Sequence, residues 1–249
     1  IGKDIAFEKL LADYDAVFVG TGCYTAVDAK LPGQNLPGRL EALPFLIANA
    51  RKILGSDVES FISLDFKDKN VVVLGGGDTA MDCVRTSIRL NAASVTCVYR
   101  RDEASMPGSR REVGNARDEG VQFLFNHAPV AIEGKDKVTG VHLQETVSNA
   151  NGKSRAEFSS VQGEEKILAA DVVITAFGFR PSPASWLEQH GVTLQDGRIQ
   201  TSGALPYQTS QPKIFAGGDN VRGADLVVTA VHDGRDAGLA IAKWLKKSI

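Results

Sequence analysis

Six residues of this 249-residue chain, Gly75-Gly76-Gly77-Asp78-Thr79-Ala80, have the G-x-G-x-x-A spacing that lets a bare backbone approach a diphosphate. In that spacing Gly75 permits a tight turn, Gly77 admits the pyrophosphate and Ala80 keeps helix and strand close. The helix that begins at Asp78 would offer unpaired N–H groups and the positive end of its dipole to the phosphates. A glycine string can also be a tight turn with no ligand. The context favours the dinucleotide reading: an apolar strand precedes the glycines, a helix follows, and a second strand comes next.

That second strand, SVTCVY, runs into Arg100-Arg101. An NAD-binding unit commonly places an acidic residue there to hold a ribose hydroxyl. Two guanidinium groups suit a 2′-phosphate instead, gripped through paired charge-assisted bonds. A solvated basic corner is the plainer alternative. Asp102 and Glu103 follow at once and leave some use of NADH open; NADPH is the favoured cofactor.

These residues need a sheet behind them. The runs 14–20, 70–76, 94–100, 171–178 and 213–219 are short, apolar and rich in β-branched residues, and read as buried strands. A helix is expected from Asp78 to about Leu90, with Ala80, Cys83, Val84, Ser87 and Ile88 on one face. Another runs from Ser109 to Glu119, opened by a capping-box pair (Ser109, Glu112) and closed by Gly120. With 121–125 as a third strand, residues 70–125 form a βαβαβ unit. Residues 129–170 alternate apolar and polar around SNANGKSR, which predicts an antiparallel meander. From Leu226 to Lys247 an amphipathic helix is expected, with Val227, Ala230, Val231, Ala237, Ile241 and Leu245 inward. Gly234 and Gly238 interrupt it, and each costs up to about 1 kcal/mol of helix stability. Close packing against a ligand or a neighbouring backbone would explain them.

Composition narrows the function. The chain is 43% hydrophobic and 23% charged, with a net charge of −2, which gives no reason to expect nucleic acid or an anionic membrane as partner. No apolar run approaches the length of a membrane span. Cys23, Cys83 and Cys97 lie far apart without a C-x-x-C, too sparse for a disulfide framework or an iron–sulfur site, and a reducing, cytoplasmic setting fits. The four histidines show no metal-ligand spacing. Arg110 and Arg111 open a helix where cations oppose its dipole, so phosphate contact competes with a solvated face. Trp186 and Trp244 are expected in a core or an interface. The chain opens on Ile1, without an initiator Met or a signal-peptide core, and residues preceding it in a longer protein are expected.

Two further strands end in glycine: YDAVFVGTG at Gly20-Thr21-Gly22, and KIFAGGD at Gly217-Gly218-Asp219 ahead of the last helix. This pairing resembles the flavoproteins with two dinucleotide-binding domains. The resemblance implies that Thr21 and Gly22 mark the passage between FAD and NAD(P)H domains, and that Gly218 and Asp219 serve the ribityl–pyrophosphate region of FAD. The helix starting near Leu226 and Val227 would then point its N-terminus at the flavin ring. Residues 75–113, 175–183 and 215–231 are further similar to the small subunit of NADPH glutamate synthase and its close paralogues, iron–sulfur flavoproteins that take hydride from NADPH.

The implied architecture is α/β: a Rossmann-like NAD(P)H-binding domain (66–182), βαβαβ plus antiparallel meander, inserted in a partial FAD-binding domain (1–65 and 183–249). The implied cofactors are NADPH and FAD, with [4Fe–4S] clusters and the first FAD glycine motif in an N-terminal part outside this sequence. The 249 residues alone are therefore expected to be inactive or impaired. Phe177 and Gly178 would receive the nicotinamide, where a glycine lets the ring stack. Hydride transfer needs proximity and orientation rather than an acid–base residue, so no general base is nominated. The implied partner is the glutamate synthase large subunit, or another electron acceptor. A thioredoxin-reductase-like activity would need a C-x-x-C that the sequence lacks. A non-catalytic nucleotide-binding module is the remaining rival.

Overall fold

Val71, Val72, Val73 and Leu74 are all buried, so the strand Asn70–Leu74 is covered on both faces. A strand of that kind belongs inside a parallel sheet. In the computed structural model, which describes residues 1–55, 65–147 and 159–248, it is the middle of a five-stranded sheet. The order across the sheet is Arg39–Glu41, Val172–Thr175, Asn70–Leu74, Ser94–Val98 and Gln122–Leu124, every pairing parallel.

The helices Asp78–Arg89 and Arg110–Asp118 carry the chain outward from Asn70–Leu74 to Gln122–Leu124. The chain then returns to the opposite side of Asn70–Leu74 as Val172–Thr175. That reversal makes the carboxyl end of Asn70–Leu74 a topological switch point, where open α/β sheets place their ligands. Val71 and Val73 pack with Ala80, Met81, Cys83 and Val84 of the first crossover helix and with Val113 and Ala116 of the second. Val72 and Leu74 face Ile132, Val141 and Leu143 of a three-stranded antiparallel sheet, His127–Gly134, Val138–Val147 and Ser159–Ala169. Each buried valine or leucine contributes about 1.5–3 kcal/mol. The turn after Leu74 thus starts from a firmly packed base.

The helix caps follow local chemistry only in part. Ser109 Oγ accepts the Glu112 N–H at 3.2 Å, as the capping pair predicts. Glu112 does not reach back to Ser109. Its carboxylate pairs with Arg85, which also binds Glu119 at 2.8 Å, while the Ser109 N–H donates to Asp78 Oδ1 at 2.7 Å. The loop SNANGKSR lies outside the described residues.

The chain divides into two compact units, 28–178 and 1–27 with 179–249. The insertion is therefore wider than the sequence boundaries of 66 and 182 imply on its N-terminal side. The sequence boundaries place residues 28–65 with the partial FAD domain. Arg39–Glu41 instead hydrogen-bonds to Val173–Thr175 as an edge of the five-stranded sheet, and the helix Ala42–Ile53 follows it. Within the other unit, Val17–Val19 pairs in parallel with Ile214–Ala216, and Thr25–Ala26 pairs with Phe179–Arg180. Its core gathers Phe7, Val19, Leu187, Val192, Ile199, Ile214 and Ala216, with the Trp186 ring tilted against Phe7, centroids 4.3 Å apart.

The long helix Val227–Ser248 corrects one expectation. Ala237 is buried, but Val227 and Val231 are 75% and 66% exposed. The inward stripe runs through Asp233, Ala237 and Ala240 instead. A Cβ at Gly234 or Gly238 would meet nothing within 4 Å, so packing inside this chain does not explain either glycine. No described helix is long and apolar enough to cross a membrane.

Candidate functional site

The three glycines at the switch point are constrained differently. Gly75 has φ +144, and a Cβ there would collide with the Ala176 carbonyl of the neighbouring strand end. Gly76 lies against the Tyr99 ring, which a side chain would strike. Both are demanded by the fold itself. Gly77 is not: its φ of −88 suits any residue, and a Cβ would meet nothing within 4 Å. Gly77 is the N-cap of the helix Asp78–Arg89, and no side chain caps that end. Its carbonyl accepts the Ala80 and Met81 N–H groups, while the first N–H groups of any helix lack an intrahelical acceptor. Ala80 is fully buried, as close packing of helix on strand requires.

A strap from 105 to 109 secures this turn. The Gly108 N–H donates to the Gly76 carbonyl at 2.9 Å, and the Tyr99 hydroxyl to the Ser105 carbonyl at 3.0 Å. Burial pushes the Tyr99 phenol above its ordinary pKa. Asp78 holds the strap through Ser109 rather than facing solvent unengaged. Thr79 sits in the first turn beside it.

The backbone of Arg100 and Arg101 is pinned from the sheet side. Thr146 Oγ1 donates to the Arg100 carbonyl at 2.6 Å, and the Asn126 N–H to the Arg101 carbonyl at 3.0 Å. The two acidic residues that follow are engaged locally. Asp102 accepts the Ser105 N–H at 2.8 Å, and the Ser105 side chain together with that N–H lowers its pKa, while Glu103 pairs with Arg117 at 2.7 Å, which lowers its own. Arg110 and Arg111 are exposed at the start of their helix. At the end of Val172–Thr175, Phe177 packs against the meander side of the core. Gly178 has φ +93 with open space where a Cβ would stand, a conformation that favours glycine.

The other unit holds a cleft of about 370 Å³, lined by Gly22, Gly218, Asp219, Asp225, Leu226 and Val227 among others. Five of these six residues, Asp225 apart, are the ones singled out from the sequence. Gly22 has φ +71, and Gly218 has φ +77. Thr21 is tied to the Gly218–Asp219 turn through Asn220, whose Nδ2 donates to the Val19 carbonyl at 2.9 Å and to Thr21 Oγ1 at 3.3 Å. The exposed Leu226 and Val227 thus open the long helix at the cleft wall rather than in the core.

Sequence reasoning missed Tyr99, Asn220 and Asp233. Asp233 is 1% exposed and binds the Gly218 N–H at 2.9 Å, Arg222 Nε at 3.1 Å and the Tyr207 hydroxyl at 3.3 Å. Burial pushes its carboxyl up, but Arg222, the Gly218 N–H and Tyr207 outweigh burial and hold it below the usual range. Nothing in a hydropathy pattern marks an aspartate as buried; the only signal was its place one helical face from Ala237. Among the described residues no group of three or more His, Cys, Asp or Glu side chains could hold a metal ion. All three cysteines are free thiols.

Known proteins agree with this architecture. The glutamate synthase [NADPH] small chain of Halomonas elongata is 52% identical over 98% of this chain and 53% of its own length. That of Escherichia coli is 52% identical over 99% of this chain and 54% of its own length. The Escherichia coli protein AegA, named as an oxidoreductase, is 51% identical over 98% of this chain and 38% of its own length. The chain thus spans about half the length, or less, of these curated relatives. The solved structure of Mycobacterium tuberculosis FprA in complex with NADPH shares the fold at a TM-score of 0.76 and 19% identity, over 99% of this chain and 67% of that one. With a family match running over residues 7–234, the chain belongs to the pyridine nucleotide-disulphide oxidoreductase family.

Proposed function

We propose that this chain is the nucleotide-binding part of an NADPH-oxidising flavoprotein of the glutamate synthase small-chain type. The carrying observation is Gly77, a glycine that neither backbone angle nor packing requires, at the switch point of a parallel sheet. A ligand lying against the backbone supplies the missing reason. The pyrophosphate of NADPH would rest on Gly75–Ala80, with Arg100 and Arg101 taking its 2′-phosphate. Asp102 and Glu103 are engaged with Ser105 and Arg117, which leaves the ribose corner to the arginines. Phe177 and Gly178 would border the nicotinamide.

The cleft of the other unit would hold part of an FAD. Thr21, Gly22, Gly218 and Asp219 would border its ribityl–pyrophosphate region, and the helix end at Leu226 and Val227 its ring, where a positive dipole favours electron density. The chemistry such a pair supplies is hydride transfer from nicotinamide to flavin. The residues of this chain bind, orient and exclude water; none is assigned a proton. In the parent protein, electrons would pass through iron–sulfur clusters to the glutamate synthase large subunit, in glutamate biosynthesis. Identity to AegA matches that to the small chains, so a paralogue with a different acceptor is the second reading. Free thiols are in keeping with the cytoplasmic setting expected from the sequence.

The test is to purify the full-length parent and add NADPH without oxygen. The reading expects a yellow-brown protein whose flavin band bleaches. A colourless parent that never oxidises NADPH with an artificial acceptor would leave only the binding-module reading.

A further inference from the structure

Asp233 sits on the buried stripe of the long helix, where an ionised carboxylate persists only if its oxygens are matched by donors. They are matched. Oδ2 accepts the Gly218 N–H and Arg222 Nε, at 2.9 and 3.1 Å. Oδ1 accepts Arg222 Nη2 and, at 3.3 Å, the Tyr207 hydroxyl. Asp233 Cβ also stands 3.2 Å from where Gly217 would carry a side chain. Gly217 and Gly218 both line the cleft, as does Asp225, which lies 3.8 Å from Arg222. A single carboxylate therefore fixes the left-handed turn at Gly218 and places one half of an ion pair next to the cleft.

We infer that Asp233 is a positioning residue for the cleft: through the Gly218 N–H it sets the Gly217–Gly218 turn, and with Arg222 it sets the charge beside the bound ligand. This rests on the flavin reading of the cleft and goes beyond it by naming the pair that governs flavin affinity and potential. A merely structural contact would loosen the turn from either side alike. An ion pair next to the cleft acts on a bound flavin with a sign. Removing the carboxylate leaves the Arg222 charge uncompensated, which favours the electron-rich reduced ring; removing the guanidinium leaves the carboxylate, which disfavours it.

The experiment uses the full-length parent with Asp233→Asn, Arg222→Gln and Tyr207→Phe, and reads the FAD dissociation constant and the midpoint potential of the bound flavin. Asp233→Asn is expected to weaken FAD about tenfold or more and to shift the potential positive. Arg222→Gln is expected to weaken it comparably and to shift the potential negative. Tyr207→Phe, which keeps both charges, is expected to loosen FAD severalfold with the potential in place. Should Asp233→Asn fail to fold, the negative shift in Arg222→Gln carries the test. Unchanged affinity, or potentials that move the same way in both charge variants, overturns the inference while the flavin reading stands. A wild-type parent that binds no flavin overturns that reading, and the inference with it.

Discussion

Replacing Gly77 with alanine separates what the fold needs from what a ligand needs. The backbone at Gly77 has φ −88 and ψ 177, open to any residue, and the added methyl meets no atom within 4 Å. Two small terms oppose each other in stability. Alanine is a poorer N-cap than glycine, by up to about 1 kcal/mol. It also reduces the freedom of the unfolded chain, which stabilises by about 0.4–1 kcal/mol. The net change in folding should stay within about 1 kcal/mol, a few degrees in Tm. Binding is another matter. A methyl standing where a phosphate oxygen approaches the backbone removes at least one charge-assisted hydrogen bond, about 1.5–3 kcal/mol. That is roughly ten- to hundredfold in Kd. Gly75→Ala and Gly76→Ala provide the contrast: they collide with the Ala176 carbonyl and the Tyr99 ring, so they should lower Tm markedly. The assay is thermal melting of each variant beside calorimetric titration with NADPH. An alanine at 77 that leaves both Tm and NADPH affinity unchanged would refute the reasoning.

Three other outcomes are expected. Neutralising Arg100 and Arg101 together should weaken NADPH by about 1.5–3 kcal/mol per lost contact and leave NADH nearly untouched, read by parallel titrations; equal loss for both would remove the 2′-phosphate assignment. Asp233 has a lowered folded pKa, so its contribution to stability is present above the unfolded carboxylate value and is lost as pH falls through the folded one. Wild-type Tm should accordingly drop more steeply than that of Asp233→Asn on acidification below about pH 4, and parallel acid limbs would contradict this. Burial raises the Cys97 thiol to about 12 and Cys83 higher still, while Cys23 is only half-buried. Alkylation of the native chain at pH 8 should therefore mark Cys23 first and reach the other two only on unfolding, with mass spectrometry as the readout.

Much of the unit 28–178 was legible because its determinants are local. A run such as NVVVL announces a strand buried on both faces, and Ser109 announces a helix start in its own side chain. The glycine turn was found, but its logic was incomplete, since the partners of Gly75 and Gly76 are Ala176 and Tyr99, distant in sequence. Arg39–Glu41 escaped notice because three residues with charged ends have no periodicity; pairing to Val173–Thr175 makes them a strand. The long helix was rotated in the sequence reading for a related reason. Hydropathy turned Val227 and Val231 inward and did not mark Asp233, which the Gly218 N–H, Arg222 and Tyr207 hold inside. The cleft residues were reached through family resemblance, and their clustering around one cavity could not be read from spacing alone.

The most direct measurement is an amide chemical-shift titration of the 249-residue chain with NADPH, repeated with NADH. NADPH is expected to move the backbone signals of Gly77–Ala80 together with Arg100 and Arg101, and NADH to spare the two arginines. Saturation by NADPH with Gly77, Asp78 and Thr79 unmoved would contradict it.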